Sequence, residues 1–260
     1  MRLQKPDISR VHQRFSRGLS TYQDAAVVQR RMADTLCELL KQTTPMRAFD
    51  RVLELGCGTG LLTDAFSTPF TWQSLYLYDV IDECRRFHAQ RPNAQFQKAD
   101  LNAYDNYPAA DLILSGATLQ WIHDVDALLS RLQRVLKLGG LLAFSTFGPD
   151  NLKEVHAISE AGLTYLSSTT LTEKLNAAGF EILLLKESED VLTFSSPRDV
   201  LEHLRATGVT ASAKNSVWTK ATLRSFEEDY EAFRTPDNRY PLTYTPVYCI
   251  VRTTPDKRAR

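Results

Sequence analysis

Ten residues, Arg51-Val52-Leu53-Glu54-Leu55-Gly56-Cys57-Gly58-Thr59-Gly60, constrain this chain more than any other stretch. Val52, Leu53 and Leu55 are the apolar, β-type residues of a short buried strand. Three alternating glycines follow, and a helical pattern starts at Leu61. The strand therefore runs into a turn with no Cβ to hold a ligand off the backbone. The N–H groups of that turn and of the first helical turn are left to bind polar groups. Strand, glycine turn and helix in that order open an α/β unit, whose ligand site lies outside the carboxyl ends of the strands.

The pattern downstream repeats the unit. Strands are expected over 75–78, 94–98, 111–115 and 141–147, and helices over 61–66, 81–90 and 125–136, the last closed by Gly139-Gly140. A helix capped by Ser20 or Thr21 is expected over 20–41. Past residue 150 the spacing predicts helices over 151–162, 170–178, 197–206 and 220–233, a long strand over 181–194 and a final strand over 244–252. The sum is one α/β, Rossmann-like domain: a seven-stranded, mostly parallel sheet with helices on both faces and a helical lid. Residues 1–42 are an N-terminal cap segment, 43–194 the ligand-binding core, 195–240 the lid inserted between the sixth and seventh strands, and 241–260 the last strand and tail.

Charge and cysteine usage exclude several classes. The 31 Lys and Arg balance 31 Asp and Glu, so no net field draws nucleic acid. The balance is uneven: Arg2, Lys5, Arg10, Arg14, Arg17, Arg30 and Arg31 face only Asp7 and Asp24 in the first 31 residues, a basic face suited to an acidic partner. Cys37, Cys57, Cys84 and Cys249 are scattered, which fits neither a metal site nor a disulfide framework and suits reduced thiols in a cytoplasmic protein. No apolar run reaches membrane-spanning length, and the start lacks a signal-peptide core.

The glycine spacing selects the ligand. G-x-G-x-G, with Glu54 two residues before the first glycine, is not the dinucleotide pattern G-x-G-x-x-G. An acid at that place suits a cationic ligand better than a pyrophosphate. The stretch resembles the first motif of class I S-adenosylmethionine-dependent methyltransferases, where the turn passes under the amino-acid end of the donor. Asp79, about twenty residues on at the end of the second strand, can accept from ribose hydroxyls. Asp100 and the N–H of Leu101 match the family's adenine contacts. The candidate donor-binding set is Gln29, Glu54, Gly56, Cys57, Gly58, Thr59, Gly60, Asp79, Val80, Asp100, Leu101 and Ser115.

Three flanking runs narrow the resemblance: Phe15, Tyr22, Ala25, Ala26 and Gln29 near the start; Leu204-Arg205-Ala206-Thr207-Gly208-Val209-Thr210; and Arg239-Tyr240-Pro241-Leu242-Thr243-Tyr244. Together they are similar to the malonyl-acyl-carrier-protein O-methyltransferases of biotin synthesis, over nearly the whole chain. One departure is Gly116, where many of that family have Asn. The likeness implies methylation of the free carboxylate of a malonyl thioester. That carboxylate is ionised at pH 7 and needs no general base. Tyr22, Arg205, Arg239, Tyr240 and Tyr244, with Lys153 and His156, are the candidates for orienting it, while Trp121 and His123 read as loop packing. Arg10, Arg14, Arg17, Arg30 or Arg31 would dock the acidic carrier. Another small-molecule carboxyl or quinone methyltransferase, a nicotinamide-dependent oxidoreductase, and a non-catalytic relative with the same fold stay open as alternatives.

Overall fold

The computed structural model describes residues 19, 21–159, 163–208 and 220–254. Phe15, Ser20 and the basic positions Arg10, Arg14 and Arg17 lie outside them, as do Val209 and Thr210. Seven strands form one sheet in the order β3-β2-β1-β4-β5-β9-β6. They are β1 (Ala48–Leu55), β2 (Thr71–Asp79), β3 (Ala94–Lys98), β4 (Ala110–Gly116), β5 (Leu136–Phe147), β6 (Phe180–Glu187) and β9 (Pro246–Thr253). All neighbours are parallel except β9, which runs antiparallel to both β5 and β6.

Strand periodicity explains the layers, because successive side chains point to opposite faces. Val52, Leu75, Leu77, Leu112, Leu114, Leu141 and Ala143 enter one apolar cluster. Helices α1 (Val27–Thr43) and α2 (Leu61–Ser67) cover it with Met32, Leu36, Leu40 and Phe66. The alternate residues Leu53, Leu55, Tyr78, Ile113, Leu142 and Phe144 enter the other. Helices α3 (Val125–Val135) and α5 (Ser168–Ala177) cover that face with Leu128, Leu132, Leu171 and Leu175. A sheet buried on both faces needs near-continuous apolar strands, and β1 and β4 supply them.

The helix expected over 20–41 is broken. Ala26, wholly buried, interrupts it at φ −80° and ψ 50°, so α1 begins at Val27 with no side-chain cap. Residues 21–25 are a separate helical stretch before the break, from which Gln23 Nε2 donates to Thr59 O. The helix expected over 81–90 is a short 3-10 turn (Asp82–Phe87), because residues 88–91 leave it to brace the glycine turn from behind. The glycine pair does not close α3. Gly139, at φ +78°, and Gly140 lie within β5, where a Cβ on Gly140 would stand 2.8 Å from Lys137 O.

The long strand expected over 181–194 is two strands. It breaks at Ser188, whose N–H donates to Pro246 O. Beyond the break β7 (Asp190–Phe194) leaves the main sheet and pairs with β8 (Tyr240–Tyr244) in a separate antiparallel ribbon. The expected start of the last strand shifts with it, from 244 to Pro246. Between β7 and β8 lie α6 (Pro197–Ala206), capped by Ser196, and α7 (Lys220–Tyr230). Val200, Leu201, Leu204, Phe226 and Tyr230 join the first apolar cluster. Helix α4 (Lys153–Ile158), shorter than expected, packs on β8 and α7, with buried Glu154 accepting from Thr243 N at 3.0 Å.

Candidate active site

The glycine turn is held from three sides. Gly56, Gly58 and Gly60 have φ of +72°, +49° and +93°, a region other residues enter only with strain. Gly56 N and Cys57 N both donate to Tyr78 O, at 2.8 and 3.1 Å. Gly58 N donates to Asp79 Oδ2 at 2.8 Å, while Asp79 Oδ1 accepts Ile81 N at 2.9 Å. From behind, buried His88 presents Nε2 to Gly58 O at 3.1 Å. Arg91 Nε donates to His88 Nδ1 at 3.1 Å, and Arg91 Nη2 reaches Asp64 Oδ1 at 2.6 Å. An arginine can only donate, so Nδ1 accepts and Nε2 carries the proton given to Gly58 O. Burial holds the His88 pKa below its usual range, consistent with that neutral ring.

In front of the turn lies a cleft of about 850 Å³ counting its open mouth. Gly56, Gly58 and Thr59 line one end, Asp79 and Val80 leave the end of β2, and Asp100 and Leu101 leave the end of β3. Gly116, Ala117, Thr118, Trp121 and Ile122, from the loop after β4, make a further wall, with Thr118 packed against Gly56. Asp100 Oδ1 accepts both the N–H and the side-chain amide of Asn102, which fixes the carboxylate and leaves its second oxygen for a ligand. A smaller hollow of about 420 Å³ adds Gln29, Glu54, Cys57 and Ser145. It shares Tyr22, Gly56, Gly58, Thr59, Gly116 and Ala117 with the cleft, so the two are continuous.

That hollow is polar and unsatisfied. Gln29 Oε1, Thr59 Oγ1 and Ser145 Oγ are buried without a hydrogen-bond partner among the described residues, and all three residues line it. Each such group costs about 1–3 kcal/mol if left unpaired, so three in one place mark a site built for a polar ligand. Glu54 borders the same hollow. Burial pushes its pKa up to about 8, against the opposing bond from Thr63 Oγ1 at 2.7 Å. Burial also raises the Cys57 thiol well above its usual range, which argues against a thiolate nucleophile. Among the described residues no His, Lys or Arg lines either space and no metal-holding cluster occurs.

The remaining candidates lie elsewhere. Gly60 packs against Arg91 and His88 behind the turn. Ser115 Oγ donates to Leu55 O and lines a separate apolar hollow on the α3 side. Tyr22 is the one substrate-orienting candidate in the cleft wall. Tyr244 is buried with its hydroxyl 2.8 Å from His203 Nε2. Arg239 ties β7 to β8 by donating to Ser195 Oγ and Thr193 O, and Tyr240 donates to Glu231. Arg205 is exposed on the last turn of α6, Lys153 pairs with Glu189, and His156 stacks on Tyr165. Cleft residues absent from the sequence-based set are Leu19, Ile81, Cys84, Asn102, Gly116, Ala117, Thr118, Trp121 and Ile122. The loop ones follow the β4 carboxyl edge, the only sequence signal that could have found them. Nothing local in the sequence marks His88 and Arg91.

Comparison with known proteins agrees with this geometry. Residues 26–185 match the family described as a methyltransferase domain. Over the whole length the chain is 34% identical to the malonyl-[acyl-carrier protein] O-methyltransferase of Acinetobacter baylyi, covering 95% of this chain and 97% of that one. It is 36% identical to the enzyme of that name from Porphyromonas gingivalis, covering 97% and 98%. It is also 36% identical to that of Haemophilus influenzae, covering 95% of each. Among solved structures, a putative methyltransferase from Bacillus halodurans superposes with a TM-score of 0.63 at 15% identity, covering 85% of this chain and 99% of the other. At that identity the likeness carries the fold alone.

Proposed function

Because the chain belongs to the malonyl-[acyl-carrier protein] O-methyltransferase family and has the Rossmann-like fold of class I methyltransferases, we propose that it moves a methyl group from S-adenosylmethionine to the free carboxylate of a malonyl thioester. The methyl ester hides a charge, so chain-elongating enzymes can take it as a primer for the pimeloyl part of biotin. The observation that carries the reading is the convergence of Gln29 Oε1, Thr59 Oγ1 and Ser145 Oγ, unpartnered, on a hollow floored by the glycine turn.

These residues fit the donor. An ammonium can give to Gln29 Oε1 and to Glu54, and the hydroxyls of Thr59 and Ser145 can give to a carboxylate. Asp79 accepts from Gly58 N and Ile81 N and lines the cleft, where its carboxylate can also meet ribose hydroxyls. Asp100 and Leu101 N would meet the base. When bound, the donor supplies an electrophilic methyl on a sulfonium. What the chain adds is position and dryness. A carboxylate nucleophile is already ionised at pH 7 and needs no proton removed. Opposite charges meet in the reaction, so excluding water lowers its barrier, and contact near 3 Å supplies most of the rest.

The buried phenols can orient the acceptor without repelling it. Burial raises the pKa values of Tyr22 and Tyr244 far above the usual range and that of Tyr165 to about 12. All three therefore stay protonated; Tyr22 stands in the cleft wall where it can meet a carboxylate, while the Tyr244 hydroxyl is held 2.8 Å from His203 Nε2. We assign α6 and α7 the role of cover over this acceptor side, and the cytoplasm as location, in keeping with four free cysteines, all buried. No helix among the described residues is long and apolar enough to cross a membrane.

The carrier would dock on the basic N-terminal face. Arg31 is engaged with Asp190 at 2.8 Å, whereas Arg30 donates through Nη2 to the carbonyl of Gln23. Arg30→Glu should raise KM for malonyl carrier protein and leave malonyl-coenzyme A unaffected; equal damage to both would remove the docking role. Mass-spectrometric methylation assays with malonyl carrier protein, malonyl-coenzyme A and free malonate test the function. A methyl ester on the thioesters supports it, and methylation of none of them, or of malonate alone, overturns it.

A further inference from the structure

A second cavity lies behind the loop that walls the donor cleft. It holds about 940 Å³ counting its mouth, and no step described so far uses it. Two contacts tie it to the transfer site. Ile122 lines both the donor cleft and this cavity. Gln120, on the cavity side, donates through Nε2 to Ala117 O at 2.7 Å, and Ala117 lines the cleft. Tyr165, also on the cavity, stacks edge-on to Phe147 at 6.0 Å, and Phe147 lies 6.0 Å from Tyr244.

The lining is mixed in a way that selects its occupant. Leu119, Leu163 and Leu166 offer apolar surface, while His123, Asp124, Asp126 and Lys174 also line the cavity, Lys174 paired with Asp126 at 2.6 Å. Gln120, Thr146 and Thr164 offer hydrogen-bonding groups, with Thr146 Oγ1 on Gln120 Oε1 at 3.3 Å. Gln120 and Thr146 keep bonding capacity beyond these contacts (the second Nε2 hydrogen and the Oγ1 lone pairs), which with the Thr164 hydroxyl a purely aliphatic chain would leave unused and a rigid aromatic would not need. A flexible arm of methylenes interrupted by amides matches both. We propose that this cavity is the subsite for the pantetheine arm of the thioester substrate, which enters past the 163–166 segment and delivers its acyl carboxylate beside Tyr165. The proposal rests on the function given above.

Thr164 is exposed and lines the cavity, so a large side chain there fills the space without entering the core. Thr164→Trp should raise KM for malonyl-coenzyme A and malonyl carrier protein by about tenfold or more. It should leave the Kd for S-adenosylhomocysteine and turnover of the short malonyl-N-acetylcysteamine thioester within about twofold. Free pantetheine should compete with malonyl-coenzyme A in the unmodified protein and compete far more weakly in the variant. Thr164→Phe serves as a smaller filler, with the unfolding midpoint as control. Equal losses on long and short thioesters, unchanged KM, or non-competitive pantetheine each overturn the subsite. Lack of methylation by the unmodified protein would instead strike at the function itself.

Discussion

Replacing Gly56 or Gly58 by alanine should separate folding from donor binding within one turn. Both have positive φ, so each alanine costs about 1–2 kcal/mol of backbone strain. A Cβ on Gly56 would also lie 2.2 Å from Thr118 Oγ1, 2.6 Å from its Cγ2 and 2.9 Å from its Cβ. Rotating the threonine side chain clears the first two atoms and not the third. The loop after β4 must therefore move, at about 1–3 kcal/mol for overpacking. Gly56→Ala should lose about 2–5 kcal/mol in all, or on the order of 10 °C in Tm.

A Cβ on Gly58 meets nothing within 4 Å, yet the residue borders both the cleft and the hollow. Gly58→Ala should therefore cost only the strain, about 1–2 kcal/mol. It should weaken S-adenosylhomocysteine by about 5- to 150-fold, the same overpacking range expressed as affinity. Urea unfolding and calorimetric titration read the two effects. Gly56→Ala with Thr118→Gly should recover the clash and leave the strain. The reasoning fails if Gly58→Ala destabilises as much as Gly56→Ala, if it binds the product with unchanged Kd, or if the double variant recovers nothing.

His88→Ala leaves Gly58 O and Arg91 Nε without their shared partner. Donor affinity should fall by about 5- to 150-fold, from about 1–3 kcal/mol per lost buried bond, with KM for the malonyl substrate unchanged and His88→Gln recovering part of the loss. Glu54 is protonated in the folded chain up to about pH 8 and in the unfolded chain only to about 4.3. The folded state thus holds the extra proton between those values, and its stability falls as pH rises by up to about 1.4 kcal/mol per unit. Glu54→Gln should flatten that slope in denaturant titrations between pH 5 and 8 (bounds of about 4.3 and 8), and an unchanged slope would refute the assignment. His203 behaves oppositely: burial lowers its pKa to about 4, below the unfolded value of about 6.5. Its contribution is complete above about 6.5 and is lost as pH falls towards 4, so His203→Gln should reduce the acid-side loss of stability.

What the sequence made legible was local. The apolar run of β1 and the spacing of Gly56, Gly58 and Gly60 need no distant partner to be read. Asp79 and Asp100 stand at strand ends, where the alternation of strand and helix places them beside the turn. What stayed hidden depends on contacts far along the chain. The His88–Arg91 brace is thirty residues from Gly58 and leaves no periodic trace. The break at Ser188 falls in the polar run Lys186-Glu187-Ser188-Glu189-Asp190, and the bond to Pro246 O shows where the strand leaves the sheet. Ala26 likewise interrupts a helical pattern that is sound on both sides of it. Ser145 joins the polar hollow because β4 and β5 are neighbours, a fact of topology and not of spacing.

The antiparallel strand has a further effect. β9 follows α6 and α7 in the chain yet is sewn between β5 and β6, which precede them. A backbone cut between α6 and α7 would therefore not release the downstream piece. The smaller fragment would stay laced into the larger by two full ladders of backbone bonds, giving the molecule a seam at which it can be made in two parts and still assemble as one.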